Sequence, residues 1–440
     1  MTNSVDPPKP PFIDPEGRPR LRAAWSPYGP TEHRPGEAIV HLARLGGDAS
    51  SVDDVLAQLR KFADTDFKAD DADREQAKRS GFLRVRFDHS TEVIRLLRSV
   101  NADRAEPVLF PNTVFRIGSF TADPMHFGSV GADPMHFGSA YGADPMHFGR
   151  SSTARPTSIR GAGTPARAKG PGRATVAILD TGVAVDGPPE LFEVDFAGIG
   201  TPLRDTPDLN ADTYLDIAAG HMTFIRTIIE RSSPTVEIMC EGVIHNDGDG
   251  DEADIAAALQ RVFDAVPDKT RLFLNLSFSG FYDGDVEPPM IAFWIRALVA
   301  EGAVVVAAAG NDGVCRKKFP AAMPEVLSVA ALGRCAPASF SNHGPWIDAC
   351  APGEDLVSQF FDHFDGGYEA LIADSVPDID HFAGWAMWSG TSFATPAVVG
   401  ALAEIVEMYE CSAQDAVSML IHRPGLFRIP DYGVVVNRIF

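Results

Sequence analysis

The stretch ATVAILD at Ala174–Asp180 is a short apolar run that ends on a carboxylate, followed by Thr-Gly. Similar runs follow, some with the periodicity of strands and some with that of amphipathic helices: VEIMCEGVI, ADIAAALQRVFDAV, RLFLNLSFS, MIAFWIRALVAEG, AVVVAAAG and VLSVAAL. Short buried strands that alternate with helices predict an α/β fold, a parallel sheet covered by helices on both faces. Ligand sites in such sheets lie at the carboxyl ends of the strands, where Asp180 is expected.

Upstream of this region, over residues 118–172, the apolar periodicity disappears and Gly, Ser, Ala and Arg become frequent. This composition predicts a linker. The linker contains the heptapeptide ADPMHFG three times, at Ala122–Gly128, Ala132–Gly138 and Ala143–Gly149. Each copy is too short for a solenoid repeat, whose period is about 20 to 50 residues, so we interpret the copies as peptide modules.

Residues 37–117 have the pattern of a small, separate α+β unit. The runs EAIVHLARL and GFLRVRFD are predicted strands, SVDDVLAQLRKFA and STEVIRLLRSV are predicted helices, and EPVLFPNTVFRI is a last extended run. The two helices are predicted to begin at the N-cap residues Ser51 and Ser90. Residues 1–36 are rich in proline and carry no apolar periodicity, which predicts a disordered arm.

Composition narrows the classes of function. The 440 residues are 45% hydrophobic and 22% charged, as in soluble globular proteins. The formal charge of −22 argues against a nucleic-acid partner, because phosphate binding relies on clustered Lys and Arg. The longest apolar run, near Ala303–Gly310, is shorter than the roughly 20 residues that span a bilayer, so no membrane partner is expected.

The compartment is predicted from the cysteines and the N-terminal residues. Five cysteines form no CxxC pair, and an odd number suits reduced thiols better than a disulfide framework. The first residues, MTNSVDPPKP, interrupt with prolines the apolar segment that a signal peptide requires. We therefore expect a cytoplasmic protein.

Three segments carry residue types suited to nucleophilic catalysis. Asp180 ends a predicted strand, and His221 follows a glycine at the start of the predicted helix in AAGHMTFIRTII. Ser392 follows Gly390 in WSGTSFATPAVVGALAEIV, where a helix N-terminus would favour developing negative charge. Each residue by itself is more commonly structural: a turn aspartate, a buried histidine or a capping serine.

Taken together, the segments resemble the subtilisin-like serine peptidases, or subtilases. The family's aspartate, histidine, oxyanion and serine motifs are matched, in that chain order, by ILDTGV (178–183), GHMTFI (220–225), AAAGND (307–312) and SGTSFATP (389–396). The resemblance implies a subtilisin-like parallel sheet flanked by helices over residues 173–440. Residues 37–117 resemble in pattern the pro-domain that precedes the peptidase domain in many subtilases.

The resemblance also implies roles for individual residues. Asp180, His221 and Ser392 would form the catalytic triad, and the Asn311 side chain would donate to the oxyanion. LNLSFSG at Leu274–Gly280 resembles the edge segment along which substrate pairs as an added strand. The first specificity pocket would then be lined by Ser277, Phe278, Ser279, Gly280, Ala309 and Gly310. No cofactor and no metal are expected.

Three features depart from the family pattern. Met222 stands where the family nearly always has glycine; we expect it to narrow the cleft, so that glycine there would raise activity or broaden specificity. The acidic run His245–Asp254 has Glu252 where an EF-hand loop needs glycine, which favours a capped helix over a calcium site. The long connection Pro352–Trp388 is rich in acids and aromatics, which leaves a lid and a binding surface open.

The leading hypothesis is a serine endopeptidase that acts on peptides or proteins and cleaves its own linker, releasing short peptides. The residues expected near the cleaved bonds are those of the repeats: Asp123, Met125, Phe127, Asp133, Met135, Phe137, Asp144, Met146 and Phe148. One alternative is a catalytically silenced, subtilase-fold binding protein. Another is metal binding by the repeats, through His126, His136 and His147 beside their methionines.

Overall fold

The computed structural model describes residues 22–26, 29–48, 50–63, 65–88, 90–117, 157–158, 172–184, 204–208, 214–246, 248–282, 286–362, 364–368 and 379–436. The chain divides into two compact units, Met1–Val114 and Phe115–Phe440. The three heptapeptides, and with them every residue predicted near a self-cleavage bond, lie outside the described residues.

The first unit is an antiparallel sheet packed against helices. Its strands are β1 (Arg22–Ser26), β2 (Gly29–His41), β3 (Phe82–Arg86) and the part of β4 (Leu109–Arg116) up to Val114, and its helices are α1 (Val52–Leu59), α2 (Asp71–Ser80) and α3 (Val93–Asn101). The long strand β2 pairs with each of the other three strands, all antiparallel. The apolar residues of β2, β3, α1 and α3 meet in one core.

The sequence missed helix α2, and the physical reason is its polarity. The segment DADREQAKRS has no apolar stripe, but Asp70 caps it by accepting a hydrogen bond from Asp73 N–H at 2.8 Å. The buried Asp73 carboxylate also pairs with Arg84 of β3 at 2.8 Å. Charge pairing thus holds a helix that hydrophobic periodicity does not detect.

Two predicted boundaries need correction. Helix α1 begins directly after Ser51 as predicted, but α3 begins after Glu92, because the hydroxyl of Ser90 is bonded to Asp88 in the preceding turn. The predicted disordered arm extends too far, since strand pairing begins at Arg22 and runs through the start of β2. Backbone pairing in a hairpin needs no apolar alternation, so the proline-rich sequence gave no sign of it.

The second unit is built on an eight-stranded sheet in the order β10-β6-β12-β13-β14-β15-β21-β20. All neighbours are parallel except the last pair, which confirms the predicted α/β fold. The strands of this sheet are β6 (Thr175–Asp180), β10 (Glu237–Gly242), β12 (Leu272–Leu276), β13 (Val304–Ala308), β14 (Val326–Leu332), β15 (Ala349–Pro352), β20 (Arg428–Ile429) and β21 (Gly433–Val435).

Shorter strands lie outside this sheet. They are β5 (Thr157–Ser158), β7 (Val183–Ala184), β8 (Arg204–Asp205), β9 (Tyr214–Leu215), β11 (Asp249–Asp251), β16 (Leu356–Gln359), β17 (Phe364–Tyr368), β18 (Ile379–Phe382) and β19 (Trp385–Trp388). The connection predicted as a lid or binding surface therefore forms strands. Its described aromatic residues Phe360, Phe361, Phe382 and Trp388 are buried in the core of the unit, so these rings serve packing.

The helices of the second unit are α4 (His221–Ser232), α5 (Glu252–Ala265), α6 (Pro289–Ala300), α7 (Thr391–Tyr409) and α8 (Ala413–Val417), the last continued by a π-helical turn at Ser418–His422. Helix α7 is long and apolar enough to cross a membrane by composition alone. However, 83% of its most apolar window is buried inside the protein. It is the core helix that packs against α4 and the central strands.

Candidate active site

Asp180 and His221 form a buried pair at the carboxyl edge of the sheet. Asp180 is the last residue of β6, and its Oδ1 lies 2.7 Å from Nδ1 of His221. Asp180 is 0% exposed and His221 1% exposed. Among the described residues, Nε2 of His221 has no hydrogen-bond partner. The carboxylate thus accepts from one ring nitrogen and leaves the other available to a hydroxyl.

Glycine at position 220 is required by the turn that delivers His221. Its φ is +79°, a left-handed conformation, and a β-carbon there would lie 2.1 Å from the ring of Phe360. The imidazole of His221 packs against the rings of Trp388 and Phe393, with centroid distances of 5.4 and 5.2 Å. These contacts fix the ring and surround it with apolar surface.

A second buried carboxylate, that of Asp205, supports the same turn. Its Oδ2 accepts from the N–H of Gly220 at 2.7 Å and from the hydroxyl of Thr181 at 3.3 Å. Burial raises the pKa of the Asp205 carboxyl well above its usual value. Sequence reasoning missed this residue, because Arg204–Asp205 matches no motif and the contact joins segments that are distant in the chain.

Ser392 lies in the first turn of α7, directly after Thr391. Its hydroxyl donates to the carbonyl of Ser277 at 3.1 Å, and the Ser277 hydroxyl donates to the carbonyl of Ser392 at 2.8 Å. The second bond is possible because Pro396, one helical turn later, has no N–H to occupy that carbonyl. The described structure therefore holds the serine hydroxyl on Ser277, with no bond to His221.

The side chain of Asn311 is oriented by the residue that precedes Ser392. Its Oδ1 accepts from both the N–H and the hydroxyl of Thr391, each at 2.8 Å. With the oxygen fixed in this way, the amide nitrogen is turned to the other side, where a β-carbon on Gly390 would lie 3.5 Å from it. A donor is thus held close to the N-terminus of α7.

The predicted edge segment is paired on both sides. Ser279 exchanges two backbone hydrogen bonds of 2.9 Å with Arg116, and Gly280 exchanges two of 2.9 Å with Phe319. The N–H of Ile117 donates to the carbonyl of Gly248 at 3.0 Å. Phe115, which belongs to this unit, places its ring 6.2 Å from that of Phe278. The segment from Phe115 to Ile117 therefore meets this edge through one antiparallel β-bridge, at Arg116.

Two further sequence features are resolved by the structure. Met222 is 0% exposed and belongs to the apolar core, so its side chain is surrounded by packing atoms. The acidic run near Asp251 is a capped helix as predicted, because the Asp251 side chain accepts from Asp254 N–H at 3.1 Å at the start of α5. The described residues contain no group of three or more His, Cys, Asp and Glu placed to hold a metal.

Comparison with known proteins agrees with this geometry. Residues 217–423, which carry His221, Asn311 and Ser392, match the model of the subtilase family. Residues 217–423 are thus similar to the subtilase family. It is similar to a thermophilic serine proteinase of Bacillus sp. (strain AK1), with 30% identity over 238 residues that make up 53% of this chain and 52% of that protein. The chain thus spans about half the length of that relative.

Another relative is an intracellular serine protease of Paenibacillus polymyxa, 28% identical over 252 residues, 54% of this chain and 68% of that protein. Among solved structures, a cold adapted subtilisin-like serine proteinase is 20% identical to this chain and covers 61% of it, with a TM-score of 0.44. The comparison spans 90% of that chain.

Proposed function

We propose that the second unit is a serine endopeptidase that hydrolyses peptide bonds through an acyl-enzyme on Ser392, and that its own repeat-containing segment is among its substrates. The observation that carries the proposal is the buried contact of 2.7 Å between Asp180 and His221, at the same sheet edge as the N-terminus of α7. A carboxylate, an imidazole and a serine in this arrangement suit acyl transfer.

The chemistry follows from the contacts. The Asp180 carboxylate holds the proton of His221 on Nδ1, so Nε2 carries the lone pair that accepts the proton of Ser392. For this, the Ser392 hydroxyl leaves the carbonyl of Ser277 and turns to the imidazole, a rotation about one side-chain bond. The serine oxygen then attacks the substrate carbonyl, and the protonated imidazole delivers its proton to the leaving amine.

The oxyanion would be received by the side-chain amide of Asn311 and by the N–H of Ser392, which lies in the first turn of α7 and has no intrahelical acceptor. Water then hydrolyses the ester by the reverse proton route. The edge segment at Ser279 binds an extended chain through backbone hydrogen bonds, as it binds Arg116. This mode of binding depends little on side chains and suits an endopeptidase.

Self-processing is supported by the position of the repeats. They begin at Ala122, only five residues after Ile117, which lies on the edge in this structure. Attachment to the same chain raises the effective concentration of a short linked segment to about the millimolar range. A simple spacer does not require three identical copies of a heptapeptide. A test must therefore separate the effect of the repeat sequence from the effect of linker length.

The first prediction is that a fluorophosphonate probe labels the purified protein and that labelling and peptide hydrolysis disappear in Ser392→Ala and His221→Ala. The triad acts as a unit, so the double variant should be no worse than either single variant. Ser418→Ala, which changes an exposed serine, is the matched control and should label normally. Wild-type protein that folds but does not label would favour the silenced binding protein.

Self-processing is tested by intact mass and N-terminal sequencing of wild-type protein beside Ser392→Ala. We expect fragments in the wild type only. A protein in which all three heptapeptides are scrambled, with length and composition kept, should lose these fragments. Wild-type protein that stays at 47.3 kDa while it hydrolyses other peptides would remove the self-processing part of the proposal and leave the peptidase.

A further inference from the structure

A buried lysine lies against Gly310, one of the residues assigned to the first specificity pocket. Lys318 is 2% exposed, and the next residue, Phe319, is hydrogen-bonded to Gly280 at the edge. A β-carbon placed on Gly310 would lie 2.7 Å from Cδ of Lys318 and 3.1 Å from Oγ of Ser279. The aliphatic part of the lysine thus lies against Gly310, on the side of that residue that also faces the Ser279 hydroxyl.

The charge of this lysine is neutralised inside the protein. Its Nζ lies 2.6 Å from Oδ2 of Asp312 and 4.7 Å from the centre of the Phe281 ring. Asn342 donates a further hydrogen bond of 3.0 Å to the same carboxylate oxygen. The side chain of Lys318 therefore occupies space beside Gly310, and its ammonium group forms an ion pair with Asp312. A substrate side chain in this pocket would have to displace a buried ion pair, which is costly.

The register of the bound strand identifies the substrate residue that faces the pocket. Arg116 and Ser279 exchange both backbone bonds, so in a substrate bound in this antiparallel register the residue two positions beyond the partner of Ser279 would face Ser277. Ser277 is the residue whose backbone and side chain are both bonded to Ser392. Position 118, which is outside the described residues, is a glycine. The register thus matches a glycine to a pocket in which Lys318 occupies space.

The same short pattern recurs three times in the repeats. Residues 115–118 read FRIG, and residues 125–128, 135–138 and 146–149 each read MHFG. Both sequences place a large apolar residue, then a basic or histidine residue, then a large apolar residue, then glycine. Each methionine therefore corresponds to Phe115, whose ring contacts Phe278 on the edge. The repeats reproduce the segment that the edge already binds.

We propose that this protein cleaves after glycine within its own chain, and that Lys318 sets this preference by occupying space in the specificity pocket beside Gly310. The proposal rests on the peptidase function proposed above. The bonds are Gly118–Ser119, Gly128–Ser129, Gly138–Ser139 and Gly149–Arg150. At each bond the Ser392 oxygen forms an ester with the glycine carbonyl, and the C–N bond breaks as His221 protonates the amine. One water then releases the glycine carboxylate, so the products are residues 119–128, 129–138 and 139–149.

The first test reads the products of the wild-type protein by mass spectrometry, with Ser392→Ala as the blank. Peptides that end on Gly128, Gly138 and Gly149 are expected. The second test uses a synthetic peptide with the sequence of residues 123–132, and versions with phenylalanine or glutamate at the Gly128 position. Wild-type kcat/KM should be about tenfold or more higher for the glycine peptide than for either other peptide.

The role of Lys318 is tested by Lys318→Ala combined with Asp312→Asn, which leaves no unpaired buried carboxylate. This variant should cleave the phenylalanine peptide about tenfold or more faster than the wild type does, while the exposed-residue control Lys317→Ala keeps the glycine preference. Fragments that end elsewhere, a wild-type preference for glutamate, or an unchanged profile in the double variant would each overturn the inference. A protein that fluorophosphonate does not label fails the peptidase proposal, whereas labelled protein without glycine preference fails only this one.

Discussion

The position of His221 is determined by buried groups from several parts of the second unit, some of which contact its ring and some of which hold the turn before it. Asp180 accepts a hydrogen bond from one ring nitrogen, and Trp388 and Phe393 contact the ring. Gly220 provides a turn that a β-carbon would block. Asp205 then binds the N–H of that glycine. The orientation of the imidazole is thus determined by buried groups whose replacement has predictable effects.

At this scale we predict that Asp205→Asn is tolerated, because burial raises the pKa of the carboxyl, which disfavours its charged form, and a neutral amide can accept the same bonds. A raised pKa in the folded protein means that stability is full below the usual value of 3.8 and is lost as the pH rises towards the folded value. The Asn variant should escape this loss. Urea unfolding in the Ser392→Ala background, at several pH values from about 5 to 9, measures it.

The control for Asp205 is alanine, which leaves the N–H of Gly220 without its acceptor. The free energy of unfolding should then fall by about 1–3 kcal/mol, with a drop in kcat. If the free energy of unfolding fell as much in the Asn variant as in the Ala variant at every pH, Asp205 would act as a charged group.

We also predict that Met222→Gly lowers stability instead of raising activity. The side chain is fully buried in the core at the start of α4, so its removal leaves a cavity worth about 2–5 kcal/mol, and glycine adds about 1 kcal/mol in a helix. Met222→Leu, which conserves volume, should cost less than about 1.5 kcal/mol. Denaturant unfolding in the Ser392→Ala background separates the two. A glycine variant with higher kcat/KM and unchanged stability would restore the view that Met222 narrows the cleft.

At the scale of elements, the ends of helices in the second unit are satisfied by side chains from other segments. Thr391 and Pro396 organise the first turn of α7, one by bonding Asn311 and the other by freeing the carbonyl of Ser392. The N-terminus of α6 is satisfied by Glu252 of α5, whose Oε1 accepts from Met290 N–H at 2.8 Å. A carboxyl at a helix N-terminus is usually ionised, but burial reverses this here.

Burial raises the pKa of Glu252 to about 8, so we predict that the protein loses stability as the pH rises from about 4.5 to 8 and that Glu252→Gln removes part of this dependence. The sign follows because the unfolded chain gives up this proton more readily than the folded protein does. Unfolding midpoints of the Ser392→Ala protein across this range provide the measurement, with the exposed Glu237→Gln as control. Parallel pH profiles for the two variants would contradict the raised pKa.

At the scale of the whole molecule, substrate and catalyst are proposed to share one chain. We therefore predict that fragment formation is first order, with a rate constant that stays the same when the protein is diluted about a hundredfold. Tethering fixes the effective concentration of the repeats, whereas cleavage between molecules would slow with dilution. Intact mass over time at two concentrations measures this. A rate proportional to concentration would assign the cleavage to collisions between molecules.

Local patterns in the sequence indicated where the candidate site residues lie on their elements, and the resemblance to subtilases joined those residues into one site. Asp180 ends an apolar strand, His221 follows a glycine at a helix start, and Ser392 follows Gly390 at the start of a long apolar helix. Such patterns can be recognised in the sequence because strand ends and helix starts are set by residues within a turn of each other. The parallel sheet was predictable for the same reason.

Only the tertiary structure decided the contacts that tune the site. Asp205 against Gly220, Lys318 over Gly310, and Arg116 opposite Ser279 each join segments distant in sequence. Helix α2 was likewise held by an ion pair to β3 that apolar periodicity cannot report. Periodicity reveals which face of an element is buried. Which polar groups contact each other in the interior depends on how the elements pack.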